Sequence, residues 1–300
     1  MKKPRSVTKL TSKARTVKFE PPGRPHRQGK LLLLGPLTIP TFDRQRTVAV
    51  YLPPGYDENA SKRYPVQYMF DGQNLFDPMT SFCGDWEMDL VVDQLHRKRE
   101  IEPVISVGIY NGGEYRMSEQ SPWPEPHWDC KGEADEFLEW IMGPLKHEID
   151  RRFHTLPDRD HTGIGGSSMG GLTAIYALFR YPQAFSRALV MSPSLWFARG
   201  KIFDYVAAFP GKPANSRIYL DFGGREMRAG PGTRLLKDAR IMRELLMSGL
   251  GYQAGKDLLW VEDATGVHNE ACWSARLPKA LSFLWPNGHE AKAKDIYQAG

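Results

Sequence analysis

Short continuous apolar runs alternate along this chain with segments whose apolar residues recur every three or four positions, the periods of buried strands and amphipathic helices. "RTVAVYLPPGY" (46–56) reads as a strand ended by Pro53-Pro54, and "YPVQYMF" (64–70) as a buried strand ended by Asp71-Gly72. "WEMDLVVDQLHRK" (86–98) has helical spacing, and "EPVISVGIY" (102–110) is the next strand, closed by Asn111-Gly112-Gly113. A helix with a Gly-Pro interruption covers 133–153, and a short strand then runs into Gly166. The helix "GLTAIYALFRY" stops at Pro182, and the strands "RALVMS", "RIYLDF" and "DLLWVE" follow, with helices at 236–249 and Ala275–Leu284. Apolar strands separated by helices imply an α/β fold, with a mostly parallel sheet covered on both faces. One domain over 31–286 is expected, between a basic, flexible tail at 1–30 and a C-terminal tail at 287–300.

Between the short strand and the helix at 171 lies "TGIGGSSMGG". Gly166 and Gly170 frame Ser168 as G-x-S-x-G, whereas Ser167 is flanked by Gly165 and Met169 and fails the frame. A nucleophile elbow is a tight strand-to-helix turn that leaves no room for bulk two residues either side of its serine. Ser168 is therefore the candidate nucleophile, and the helix after it offers free N–H groups to a developing oxyanion. No Lys-Ser/Thr pair follows the glycines, which argues against a phosphate-binding loop.

A serine needs a general base, and the base needs a group to orient it. On this fold the partners follow in the order Ser, acid, His. His268, in the loop between the last strand and last helix, is the candidate base; His289 lies past that helix in a polar tail. For the acid, "IYLDFGGREM" offers Glu226 just beyond its Gly-Gly turn and Asp221 inside the strand, and Asp263 follows the last strand. Glu226 is preferred, because side chains reach a site more easily from beyond a strand's C-terminal end. The second oxyanion donor is expected from "FDGQNLFD", where the Gln73 amide would pair with that of Met169.

Charge changes the picture only locally. Of the 300 residues 41% are hydrophobic and 25% charged, as in soluble globular enzymes, and the formal net charge is +5. Residues 1–30 hold ten Lys/Arg against one acid, and the rest 30 against 34, so the basic character belongs to the tail and no nucleic-acid partner is expected. No run approaches transmembrane length, and "LLLLGPL" from Leu31 is too deep and too short for a signal peptide. Cys83, Cys130 and Cys272 form neither a disulfide framework nor a zinc pattern, and a cytoplasmic home is expected.

Six segments in order, "VYLPPGYDE", "YMFDGQNLFD", "PVISVGIYNGGEYRMSE", "GGSSMGGL", "SPSLWF" and "GVHNEACW", carry a family resemblance over Arg46 to Leu284. The chain resembles the esterase family of the α/β-hydrolase superfamily that includes enterochelin (siderophore) esterases, feruloyl and acetyl-xylan esterases and the antigen 85 mycolyltransferases. "SPSLWF" and "HNEACW" look most like the enterochelin-esterase branch. The resemblance implies Ser168 and His268 as nucleophile and base and the Gln73 and Met169 amides as oxyanion hole. It also implies an acid at Glu226, although some relatives work as a dyad. No metal or organic cofactor is implied. Asn111 and Arg116 also match the family pattern and would face the substrate, with Arg116 a donor to an anionic or oxygen-rich acyl group. Otherwise Asn111 is a turn residue and Arg116 pairs locally with Glu119. The expected activity is serine carboxylic-ester hydrolysis through an acyl-enzyme, on a small-molecule ester of siderophore-like or aromatic acyl type. An acyltransferase would use the same residues, and a catalytically silent interaction protein is the rival outside enzymology.

Overall fold

The computed structural model describes residues 15–16, 24–58, 61–81, 84–226 and 234–288. Nine strands form one sheet: β1 (Arg15–Thr16), β2 (Lys30–Ile39), β3 (Arg44–Leu52), β4 (Val66–Phe70), β5 (Ile105–Ile109), β6 (Thr162–Ser167), β7 (Arg187–Met191), β8 (Arg217–Gly223) and β9 (Leu258–Asp263). Their spatial order is β1-β2-β3-β5-β4-β6-β7-β8-β9. β1, β2, β3 and β5 pair antiparallel, and every pair from β5 through β4 to β9 is parallel. β2 and β1 go beyond the strands read from the sequence. In β2 the apolar run is broken by Gly35-Pro36, where the ladder to β3 shifts register between Leu34 and Leu37.

The helices are α1 (Met88–Arg97), α2 (Arg116–Glu119), α3 (Ala134–Trp140), α4 (Lys146–Arg152), α5 (Met169–Arg180), α6 (Lys201–Ala207), α7 (Arg234–Glu244) and α8 (Glu270–Leu284). A π turn over Ile141–Leu145 joins α3 to α4 and absorbs Pro144, so the Gly-Pro interruption deflects the helix without ending it. α8 begins five residues before the periodicity suggests, because the Asn269 side chain accepts the Cys272 N–H and caps it.

Alternation along the strands divides the core between the two faces of the sheet. Val66, Tyr68 and Phe70 of β4, Ala188 and Val190 of β7, and Ile218 and Leu220 of β8 pack with α3, α5, α6 and α7. Met69, Leu189, Met191 and Tyr219 face the other way, onto Val92 and Leu95 of α1 and Leu277 and Leu281 of α8. Tyr219 and Asp221 share a strand face by the same period of two, so Asp221 is directed at α8.

The N-terminal segment is not a loose tail where it is described. β1 pairs with Leu32–Leu33. Arg24 bonds Asp85 at 2.8 Å and Asp89 at 2.7 Å, Arg27 reaches Asp89 at 3.0 Å, and the Gln28 N–H donates to Asp93. Asp89 is fully buried on α1, so the basic residues act as internal counter-charges. A boundary at 30/31 would cut into β2, and for Arg24, Arg27 and Gln28 the expectation of flexibility is corrected: they bond carboxylates more than sixty residues away, while residues 1–14 and 17–23 lie outside the described residues. His289 and Cys83 lie outside the described residues.

Candidate active site

Ser168 stands between β6 and α5 with φ 56° and ψ −118°, a backbone conformation that costs a non-glycine residue energy and is held by its surroundings. Its N–H donates to Met191 O at 3.0 Å, and its carbonyl accepts from Ser194 N at 2.9 Å, so the end of β7 and the segment after it clasp the elbow. The framing glycines meet across the turn: a Cβ on Gly166 would lie 3.0 Å from the backbone of Gly170. Ser168 is partly exposed and its Oγ lies 3.2 Å from Ser194 Oγ. Ser167 is buried at the end of β6.

Gln73 sits in a 3₁₀ turn, Gly72–Asn74, after Asp71, which is left-handed at φ 55°. Gly72 is required there, because a Cβ would fall 2.2 Å from the Gly108 backbone in β5. The Gln73 and Met169 amides lie in the first turns of their helices, where an N–H has no intrahelical acceptor. Gln73 is clamped on both sides: its Oε1 accepts the Asn111 N–H at 3.1 Å, and its carbonyl accepts Thr80 Oγ1 at 2.6 Å.

Asn111 and Arg116 converge on Asp71. Asn111 Nδ2 donates to Asp71 Oδ1 at 2.7 Å, Arg116 holds both oxygens through Nε and Nη2 at 2.8 Å each, and Gln120 adds a bond at 3.1 Å. Burial pushes the Asp71 carboxyl up, but Arg116's charge and these hydrogen bonds outweigh it and hold the carboxyl below its ordinary value. Local pairing of Arg116 with Glu119 does not occur. Glu119 instead takes Arg44 and Arg46.

His268 Nδ1 lies 2.7 Å from Glu226 Oε2, with Glu226 fully buried and the imidazole partly open. The Gly223 N–H donates to Glu226 Oε1 at 2.8 Å, and the Trp273 ring meets the imidazole edge-on at 5.0 Å between centroids. The other two acids bind Arg276 of α8. Asp221 takes its Nε at 2.8 Å and Asp263 its Nη1 at 3.2 Å. Asp263 also accepts Thr265 and Gly266 amides, closing the turn before His268. Its partial burial pushes its pKa up, but the Thr265 hydrogen bonds and Arg276 hold it low.

Sequence reasoning missed Ser192, Ser194 and Arg276. Ser192 and Ser194 stood in the quoted segment "SPSLWF", but nothing local tied one to Glu226 and the other to Ser168. Trp128 and Trp196 meet edge-to-face at 6.3 Å and wall a cleft of about 550 Å³, edged by Arg199, Arg234 and Glu125. Trp196 is two residues beyond Ser194. Among the described residues no group of three His, Cys, Asp or Glu is placed to hold a metal ion, Cys130 and Cys272 are free thiols, and no helix is long and apolar enough to cross a membrane.

Residues 39–284 match the family described as "Putative esterase". Among curated proteins, the "Uncharacterized protein YbbA" of Bacillus subtilis is 23% identical over 247 residues, 80% of this chain and 92% of its own. "Ferri-bacillibactin esterase BesA" of the same organism is 27% identical over 200 residues, 61% of this chain and 66% of its own. A solved ferulic acid esterase superposes with a TM-score of 0.67 over 86% of this chain and 98% of its own at 20% identity, a likeness of fold.

Proposed function

We propose, starting from the fact that this chain belongs to the family described as "Putative esterase" and is a carboxylic-ester hydrolase, that it works through a Ser168–His268–Glu226 triad and an acyl-enzyme. The observation that carries the reading is the 2.7 Å bond between His268 Nδ1 and a fully buried Glu226, in the loop beyond the sheet edge where Ser168 is presented in a strained turn. A carboxylate on Nδ1 fixes the tautomer whose Nε2 can take a proton and stabilises the imidazolium that results.

In the resting enzyme the Ser168 hydroxyl faces Ser194, and turning to Nε2 of His268 is the first event of the proposed mechanism. Ser168 Oγ attacks the ester carbonyl as its proton passes to His268. The oxyanion is received by the Gln73 and Met169 amides, reinforced by the N-terminal end of the 12-residue α5. His268 returns the proton to the leaving alkoxide. Water then repeats the attack on the acyl-enzyme, with the same base, and frees the acid.

For the substrate we favour a siderophore-like ester or one with an aromatic, oxygen-rich acyl part, in line with the names of the ferri-bacillibactin esterase and the ferulic acid esterase that the chain is similar to. The cleft supports this choice: two indoles stand with two guanidinium groups and the Glu125 carboxylate, a lining suited to a flat, oxygen-rich ring. Its Trp196 lies two residues along the chain from Ser194, whose hydroxyl meets Ser168.

The test is labelling by a fluorophosphonate together with hydrolysis of acetyl, butyryl and hydroxycinnamoyl esters. The parent and Ser167→Ala should label and turn over, with the hydroxycinnamoyl ester preferred, and Ser168→Ala should do neither. Equal loss in both serine variants with folding intact sinks the nucleophile, and a flat acyl preference sinks the aromatic substrate.

A further inference from the structure

The proposed triad acid is itself held by a second buried network. Ser192 follows directly on β7 with φ 41°, a left-handed position for a residue with a side chain, and is almost fully buried. Asp221 fixes its backbone: the Ser192 N–H lies 3.0 Å from Asp221 Oδ1 and 3.2 Å from its carbonyl. The Ser192 hydroxyl receives two donors, Trp273 Nε1 at 3.0 Å and Arg276 Nη2 at 3.1 Å. A hydroxyl has two lone pairs and one hydrogen. With both lone pairs engaged, the hydrogen has one place to go, and Glu226 Oε1 lies 2.5 Å away.

We propose that Ser192, oriented by Arg276 and Trp273, is a positioning residue for ester hydrolysis, acting through Glu226. Oε1 is taken by Ser192 Oγ and the Gly223 N–H, which aims Oε2 at His268 Nδ1. Neither donor gives up a positive charge to the carboxylate, so Glu226 keeps its full effect on the imidazolium. Asp221 and Asp263 serve one step further out, holding three of the Arg276 nitrogens. Pro193 separates Ser192 from Ser194, so one short segment touches the acid at one end and the nucleophile at the other.

This rests on the triad reading, and the experiment separates the two. Turnover is measured per active site titrated with a fluorophosphonate, so that misfolded protein does not count. Glu226→Gln tests the triad: if kcat per site is unchanged, that reading fails and the inference falls with it. If Glu226→Gln is slow, Ser192→Ala should lower kcat by about tenfold to hundredfold, the kinetic equivalent of a hydrogen bond to a charged group, with KM within about twofold. The double variant Ser192→Ala/Glu226→Gln should be no slower than Glu226→Gln alone, because the serine acts only through the carboxylate. Arg276→Lys should keep kcat within a few-fold of the parent while Arg276→Met behaves like Ser192→Ala. Trp273→Phe, which keeps one aromatic ring but removes the N–H together with the five-membered ring, should give a smaller fall in kcat of about threefold and covers the case in which Ser192→Ala does not fold. An unchanged kcat per site in Ser192→Ala and Trp273→Phe, or losses that multiply in the double variant, would overturn the proposal.

Discussion

Two buried carboxylates flank Ser168, each with an arginine and neutral donors near it, and they are used in opposite ways. Asp71, on the Gln73 side, is consumed by its donors: Arg116 occupies both oxygens, and Asn111 and Gln120 crowd the first. Glu226, on the histidine side, meets no arginine directly. Its Oε1 takes Ser192 and Gly223, Arg276 stands one residue further out, and Oε2 is left for His268. A carboxylate saturated by a permanent cation can only brace a loop, whereas one held by neutral donors retains charge with which to act on a titrating partner. On the proposed triad, direct contact with arginine, more than burial, distinguishes the bracing carboxylate from the one that serves the histidine.

The largest break of this contrast is expected from replacing each acid by its amide. Glu226→Gln should lower kcat by two to four powers of ten, since it withdraws the charge opposite the imidazolium, whereas Asp71→Asn should cost far less. Steady-state kinetics on one ester decide it, and comparable losses would erase the distinction.

A third carboxylate sharpens the comparison through stability. Burial raises Asp89 to about 6 although Arg24 and Arg27 pull it down. A raised carboxyl adds stability that is complete below the unfolded value of about 3.9 and is lost as pH rises through about 6. Replacing both arginines by glutamine should therefore destabilise the fold at pH 7.5 by about 3–5 kcal/mol, the usual effect of stripping a buried charge of its partner. Most of that loss should return below about pH 5, where Asp89 binds a proton. A melting temperature that ignores pH in this variant would show that the arginines do not serve Asp89.

Asp71 should run the other way and more weakly. Its carboxyl is lowered, so its contribution is present above about 3.9 and disappears as pH falls further. Arg116→Gln should melt below the parent at pH 7, with the gap narrowing as pH falls below about 3.9. Its kcat should change little, and a raised KM confined to anionic esters would return Arg116 to the substrate.

The chain was legible wherever the determinants are contiguous. The glycine frame chose Ser168 over Ser167 because the turn's sterics involve residues two positions away, and the observed Gly166–Gly170 approach is that collision. Helix and strand types followed from their periods, with differences at ends where a cap or a π turn intervened, as at Asn269 and Pro144. β2 was passed over because Gly35-Pro36 breaks a run whose pairing partner alone makes it a strand.

What only the tertiary structure decided is the division of labour among charges. Glu226, Asp221 and Asp263 look alike as carboxylates near strand ends, and their partners differ by where α8 lies. Asp221 shares a strand face with Tyr219 and meets Arg276 across 55 residues of sequence, which removes it from the histidine. Arg24 finds Asp89 at a separation of 65, which makes this arginine an internal counter-charge. A charge acts over a few ångströms at full strength only where water is excluded, so its role depends on which distant element packs against it. Sequence by itself determined the elements and the turn that presents Ser168, because their geometry is closed within a few residues. The acid, its support and the use of each arginine waited on the sheet order and the helix face that bring remote residues together.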